Sequence, residues 1–162
     1  MPVEMKIKGL MIDPVSNMPI IILKDSSGDV VLPIWVGVFE ANAIAMQLEK
    51  IVSPRPMTHD LLRNVIEGLQ ARVDRVVITD LKDNTFFALI HVTRNGNPLT
   101  IDARPSDAMA LALRSEVPIL VEETVLEKSS VSDDESGTSD ETERLRRWLE
   151  QVDPEELGKY EM

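Results

Sequence analysis

Residues 5–12 and 18–23 are two runs of mostly apolar, β-branched side chains, separated by Asp13-Pro14 and Ser16-Asn17. Turn formers between two such runs predict a β-hairpin at the start of the chain. Ser26-Ser27-Gly28-Asp29 then leads into a third strand over residues 30–36, apolar on both faces. Pro33 inside it cannot donate to a ladder and marks an edge or a bulge. After Gly37 the period changes. Ala41, Ile44, Ala45 and Leu48 recur at helical spacing and predict a helix with a stripe of small residues. Two prolines at 54 and 56 end that segment, and a second helix is expected from Thr58 as its N-cap, with Asp60 in the first turn. Its apolar face would be Leu61, Leu62, Val65, Ile66 and Leu69.

Residues 75–81, 85–93 and 98–103 read as three antiparallel strands, joined at Lys82-Asp83-Asn84 and at Asn95-Gly96-Asn97. Asn-Gly between apolar runs is a strong hairpin signal. A third helix, from Pro105 or Ser106 to about Glu116, turns Ala108, Met109, Leu111, Ala112 and Leu113 inward, and residues 117–123 return as a short final strand. Beyond residue 126 the pattern fades. Residues 127–141 form a linker of Ser, Asp and Gly that buries too little apolar surface to order itself. Residues 142–162 follow as a helical tail with Leu145, Trp148, Leu149 and Val152 on one face, a helix that docks on its own domain or on a partner protein. The reading is thus one domain over residues 1–126 plus an appendage.

Composition changes this picture in two ways. Net charge is −11, but from Glu127 onward twelve acids face five bases, so −7 belongs to the last 36 residues and −4 to residues 1–126. Such a field repels polyanions at long range, so phosphate chemistry has to be local, at a few arginines. The chain has no cysteine, which removes disulfides, thiolate metal sites and cysteine nucleophiles together. Charges at Glu4, Lys6 and Lys8 break the apolar stretch a signal peptide needs, and no window is apolar enough to span a bilayer. A cytoplasmic protein without membrane contact is expected. Trp35, Phe86 and Phe87 read as core, and His91 as a residue of a sheet face.

Four stretches in order, residues 32–49, 55–62, 76–92 and 101–114, resemble the bifunctional nuclease family of bacteria and plants, and the resemblance covers roughly residues 3–125. It implies an α+β domain: a mixed, largely antiparallel sheet flanked by three helices, here followed by the acidic linker and the C-terminal amphipathic helix. It also implies a homodimer and nuclease activity on DNA and RNA. It brings no assigned catalytic residues.

The residues themselves suggest where such chemistry would sit. Arg55-Pro56 and Arg104-Pro105 are a near repeat, each followed by a hydroxyl residue and an aspartate at a helix start. Proline holds the preceding arginine extended, beside the N–H groups of a helix N-terminus, which makes an anion site. If the joints meet, Arg55, Arg104, Thr58 and Ser106 would bind substrate phosphate, while His59, Asp60 and Asp107 would be catalytic. Histidine is the side chain type whose ordinary titration lies nearest neutrality, suited to base or acid. Glu40, Asp102 and Asp107 would hold Mg²⁺ or Mn²⁺ through oxygen ligands. Against this stands a structural reading in which the aspartates cap helices and pair with arginines to fix the loops, with Glu40 a partner of its helix dipole. The corresponding functional alternative is a non-catalytic regulatory or anionic-ligand-binding module acting through protein partners.

Overall fold

The structure, a computed structural model, describes residues 1–135, with side chains to residue 129; the expectations for the end of the acidic linker and for the C-terminal helix lie outside the described residues. The elements run β1 (Val3–Ile12), β2 (Pro19–Asp25), β3 (Val31–Trp35), α1 (Val38–Leu48), α2 (Thr58–Gly68), β4 (Ala71–Lys82), β5 (Thr85–Arg94), β6 (Asn97–Ala103), α3 (Pro105–Ser115), β7 (Ile119–Val121) and α4 (Glu123–Glu135). The strands form one open α+β sheet in the order β3-β2-β1-β7-β4-β5-β6. All neighbours are antiparallel except β4 and β7.

The short β7 joins two antiparallel units, β1–β3 and β4–β6, into one sheet. Its three residues pair antiparallel with Val3–Met5 and parallel with Val76–Ile78. Two tight turns follow from local chemistry. Asn95-Gly96 and Asp83-Asn84 both hold positive φ, the geometry a two-residue hairpin requires. Pro33 lies on β3, an edge strand, as its missing donor demands.

Helices α1, α2 and α3 share one side of the sheet. Ala108, Met109, Leu111 and Ala112 of α3 are fully buried with Ala41 and Ile44 of α1 over Ile21, Leu23, Val76, Ile78 and Ile90. Alanines at these helix contacts let α3 settle close to the strands and to α1. Helix α2 departs from expectation. Leu61, Leu62, Val65 and Leu69 are exposed, Ile66 is half-buried, and the buried residue of this helix is His59. The helix turns its polar first turn, not its leucine face, toward α3. Thr58 is its first helical residue rather than its N-cap. Met57 takes the cap position, where its N–H donates to the Asp60 carboxylate at 3.0 Å.

Three further expectations change. Trp35 and Phe87 are not core: both are more than a third exposed, and the Trp35 indole N–H donates to Asp13 Oδ2 at 3.0 Å. Phe86, one residue earlier on β5, packs against the core, as strand alternation dictates. A fourth helix, α4, begins right after β7 and passes the boundary expected at residue 127. Val125 and Leu126 pack on the core and Lys128 bonds Asp80 of β4 at 2.7 Å, which anchors its first turns.

Candidate active site

The helix starts that follow the two Arg-Pro joints meet. His59, in the first turn of α2, places Nε2 2.9 Å from Asp107 Oδ1, in the first turn of α3. Pro105 at the first helical position sets the entry of α3 and leaves Arg104 extended, at φ −70° and ψ 144°. From there the guanidinium turns back over its own helix. Nε and Nη2 reach Asp107 Oδ2 at 3.1 and 3.0 Å, and Nη2 also donates to Glu40 Oε1 in the first turn of α1. Glu40, Arg104, Asp107 and His59 thus form one continuous chain across the N-terminal ends of three helices.

Charge and exposure are unevenly distributed along it. The His59 side chain is 9% exposed, Glu40 17%, Asp107 33% and Arg104 65%, so the cation is the part that solvent and solutes reach. Hydrogen bonding to Arg104 holds the Glu40 carboxyl below the usual glutamate range, and the pairing with Glu40 and Asp107 raises Arg104. With His59 neutral the four groups sum to −1. Asp107 fixes the imidazole through Nε2, and Nδ1 has no hydrogen-bond partner among the described residues. Orienting one ring nitrogen and leaving the other open is the arrangement that prepares a histidine to take a proton.

Gly37 caps α1 at φ −71° and ψ 157°, a backbone any residue adopts, but its missing side chain matters. A Cβ there would collide with the Glu40 carboxylate, which folds back over the cap to reach Arg104.

Asp60 belongs to a second network. Its Oδ1 accepts from Arg114 Nε at 2.8 Å, and Arg114 also donates to Ala110 O at 2.9 Å and Ala43 O at 3.0 Å. One buried guanidinium therefore ties α1, α2 and α3 together, and Arg63 Nη1 adds a bond to Arg114 O at 3.1 Å. Burial alone would raise the Asp60 carboxyl; the Met57 N–H and Arg114 outweigh it and leave it lowered. A cleft of about 420 Å³ opens on this side, lined by Ile51, Pro56, Met57, Asp60, Arg63 and Arg114. None of Glu40, His59, Arg104 and Asp107 lines it. Chemistry and cleft thus occupy different flanks of the α2 N-terminus, and the titratable chain carries the better claim to reactivity.

Of the other expected site residues, Thr58 and Arg55 are exposed near the joint and Ser106 is buried at the head of α3. Asp102 is not brought in. It pairs in register with Leu89, next to the rung Ala88–Ala103 that packs in the core, and so sits on the sheet face away from the helices. Among the described residues no three His, Asp or Glu side chains are placed to hold a metal ion, and Glu40 and Asp107 are already bridged by Arg104. The set Glu40, Asp102 and Asp107 does not fit a divalent cation in this geometry. Sequence reasoning missed Gly37 and Arg114. Arg114 had a signal: it is a lone charge spaced three and four residues after Leu111 and Ala110, on the buried stripe of an alanine-rich helix.

Comparison with known proteins adds to this geometry. The family model described as bifunctional nuclease domain matches residues 21–134. An uncharacterized protein of Mycobacterium tuberculosis is 39% identical over 95% of this chain and 97% of its own length. Bifunctional nuclease 1 of Oryza sativa subsp. japonica is 27% identical over 67% of this chain and 34% of that longer protein. Bifunctional nuclease 1 of Arabidopsis thaliana is 26% identical over 74% of this chain and 38% of its own.

Proposed function

This chain belongs to the bifunctional nuclease domain family, and from that premise we propose that it hydrolyses phosphodiester bonds in DNA and RNA at the chain of side chains linking α1, α2 and α3. The observation that carries the reading is the 2.9 Å contact between His59 Nε2 and Asp107 Oδ1, closed over by an exposed arginine. Asp107 holds the imidazole so that Nδ1 accepts a proton from the attacking water, whose oxygen bonds phosphorus as the bond to the leaving ester oxygen breaks, and that oxygen takes its proton from solvent. Arg104, freed from part of its carboxylate pairing, meets the phosphate and the charge developing on its oxygens. Arg55, exposed ahead of α2, is a second cation offered to the substrate in this reading. Mg²⁺ or Mn²⁺ enters as a variable of the test, and no step here is routed through it.

The test is cleavage of single-stranded DNA and RNA by highly purified protein, with Mg²⁺, with Mn²⁺ and with chelator. His59→Ala is expected to lower kcat by about 10² to 10⁴, and Asp107→Asn to lower it in the same direction without loss of fold. Cleavage that persists undiminished in both variants would remove the site.

One observation favours a second reading, a regulatory or anionic-ligand-binding module. The four groups sum to −1 inside a domain that is itself acidic, where a general nuclease offers its substrate a basic path. That reading expects an anionic ligand to raise the melting temperature with no turnover.

We also propose that the homodimer expected of the family forms through α2. Leu61, Leu62, Val65 and Leu69 present four large apolar side chains to solvent on one helix, a patch of the kind that marks an association surface.

A further inference from the structure

Helix α1 ends in a turn that builds a wall. Lys50 takes the left-handed conformation at φ 57°, and the Ile51 N–H donates back to Met46 O at 2.9 Å, the six-to-one bond of a Schellman cap. The chain that leaves it, residues 51–57, carries Pro54 and Pro56, each with φ fixed by its ring. This stiff segment faces the first two turns of α2, and the cleft of about 420 Å³ lies between them. A volume of that size suits one small molecule, or one unit of a polymer, and not a whole strand.

The lining divides into three kinds of chemistry. Met46, Ile51, Pro56 and Met57 give apolar walls, and the two thioethers make favourable contacts with the edge of an aromatic ring. Gln47 and Asn64 bring side-chain amides, which both donate and accept. Arg63 brings charge. It is half-buried, Nη1 donates to Arg114 O at 3.1 Å and Nη2 to Asn64 Oδ1 at 3.4 Å, and among the described residues no carboxylate pairs with it. Asp60, the carboxylate of the lining, is committed to Arg114 Nε at 2.8 Å and to the Met57 N–H at 3.0 Å. Two arginines against one aspartate leave the cleft at +1, in a domain whose residues 1–126 carry −4. A guanidinium held in place without a counter-ion is a seat for one phosphate.

We propose that the cleft holds one nucleotide unit, with the base against Met46 and Met57, its polar edge toward Gln47 and Asn64, and the phosphate on Arg63. A free nucleotide and one unit of a strand offer the same chemistry. On the phosphodiesterase reading above, on which the strand assignment rests, the occupant is a unit flanking the one being cut. Consecutive residues of α2 reach the two places: His59 meets Asp107 in the first turn of α3, and Asp60 meets Arg114 in its last turn. Seven residues of helix separate those partners, about 10 Å, within the reach of a single strand. The reactive chain of Glu40, His59, Arg104 and Asp107 sums to −1, so a flanking unit seated at +1 supplies binding energy that the cut unit does not.

The test uses the full chain, whose eight methionines report through their methyl NMR signals. Adenosine 5′-monophosphate is expected to shift Met46 and Met57 saturably and to leave Met5, Met18 and Met109 in place. Adenosine and ribose 5-phosphate should each bind more weakly than the whole nucleotide. Arg63→Gln should weaken the nucleotide about tenfold, the loss of one charge-assisted bond, and leave adenosine unchanged. In cleavage of single-stranded RNA the same variant should raise KM to a similar extent, and the nucleotide should inhibit the wild type competitively. Absence of a Met46 and Met57 shift at millimolar nucleotide, or binding that Arg63→Gln leaves as strong as before, overturns the proposal, and strands still cut in a His59-dependent way would then keep the phosphodiesterase reading. Saturable shifts in a protein that cuts neither DNA nor RNA uphold the nucleotide site with a free nucleotide as its occupant, and remove the phosphodiesterase reading instead.

Discussion

Replacing Arg114 with Met keeps the length of the side chain and removes its charge and five donors, at a position 3% exposed. Three bonds go with it: to Asp60 Oδ1, Ala110 O and Ala43 O, at 2.8, 2.9 and 3.0 Å. Hydrogen bonds to a charged group contribute about 1.5–3 kcal/mol each, but their sum overstates the loss. Asp60 is 26% exposed and recovers water through the neighbouring cleft, and the methionine keeps most of the stem's packing. Ala43 O is the acceptor with least access to a substitute. Removing one partner of a buried pair costs about 3–5 kcal/mol, and Arg114→Met is expected in the lower half of that range. For a chain of this size that lowers Tm by roughly 6–16 °C, read by calorimetry and urea denaturation.

The pH dependence supplies an independent check on the same variant. Asp60 is lowered in the folded state, so its contribution to stability is fully present above the ordinary aspartate range and is lost as pH falls through the lowered value. The gap between wild type and Arg114→Met should therefore narrow on acidification. Arg114→Lys, which carries the charge without the fork, should recover part of the stability. A loss under about 1 kcal/mol, or a gap that holds constant to low pH, would show that the three helices are held by apolar packing alone.

The other predictions concern the two ends of the domain. Asp80, held down to about 2 chiefly by its hydrogen bond from Lys128, should give a carboxyl titration far below the ordinary range by NMR, and Lys128→Ala should return most of the shift. Because the folded value is depressed, the Asp80–Lys128 contact persists at pH 3 and is lost as pH falls through about 2. On α2, Val65→Lys should shift sedimentation from dimer to monomer while leaving the far-UV spectrum intact, since Val65 is 48% exposed within a protomer; an unchanged dimer would move the interface elsewhere. Glu40→Gln should lower KM for a nucleic-acid substrate about fivefold, and Gly37→Ala, which displaces the same carboxylate, should act in the same direction.

Most of the elements were legible because their signals are local. Alternation marked the strands, Asn95-Gly96 marked its turn, and Pro33 marked an edge. What local pattern could not carry was the choice between two competing burials. In α2 the leucine stripe predicts a buried face, but His59 and Asp60 find partners on α3 that no window of sequence contains, 48 and 54 residues away. Those bonds orient the helix, and the leucines are left outside. The same distance hid the place of β7, whose three residues close the sheet between strands from both halves of the chain. At the site, the near repeat of Arg-Pro pointed to a convergence that the His59–Asp107 contact realises. It did not separate Asp60 from Asp107, since both stand one turn into a helix. The partner each one meets decides between cap and reactive pair.

Glu40 shows why the site reads as more than a structural tie. A carboxylate folded back over its own helix cap onto an arginine that is 65% exposed occupies the place a phosphate would take. Both are anions suited to a helix N-terminus, and on the proposed reading the phosphate would accept from the Nη2 that Glu40 now holds. For a substrate to be held, Glu40 has to release Arg104, so the pairing sets a competition rather than a permanent bridge. Its strength is bounded by geometry. Two unit charges about 4 Å apart interact by about 1 kcal/mol in water and about 4 kcal/mol near a protein surface, and the exposure of Arg104 places the net value near the low end. About 1 kcal/mol corresponds to roughly fivefold in binding, which is the change expected of Glu40→Gln. If Arg104 served only to fasten α1 to α3, the same substitution would lower stability and leave KM unchanged. The sign of the KM change therefore separates a guarded anion site from a salt bridge.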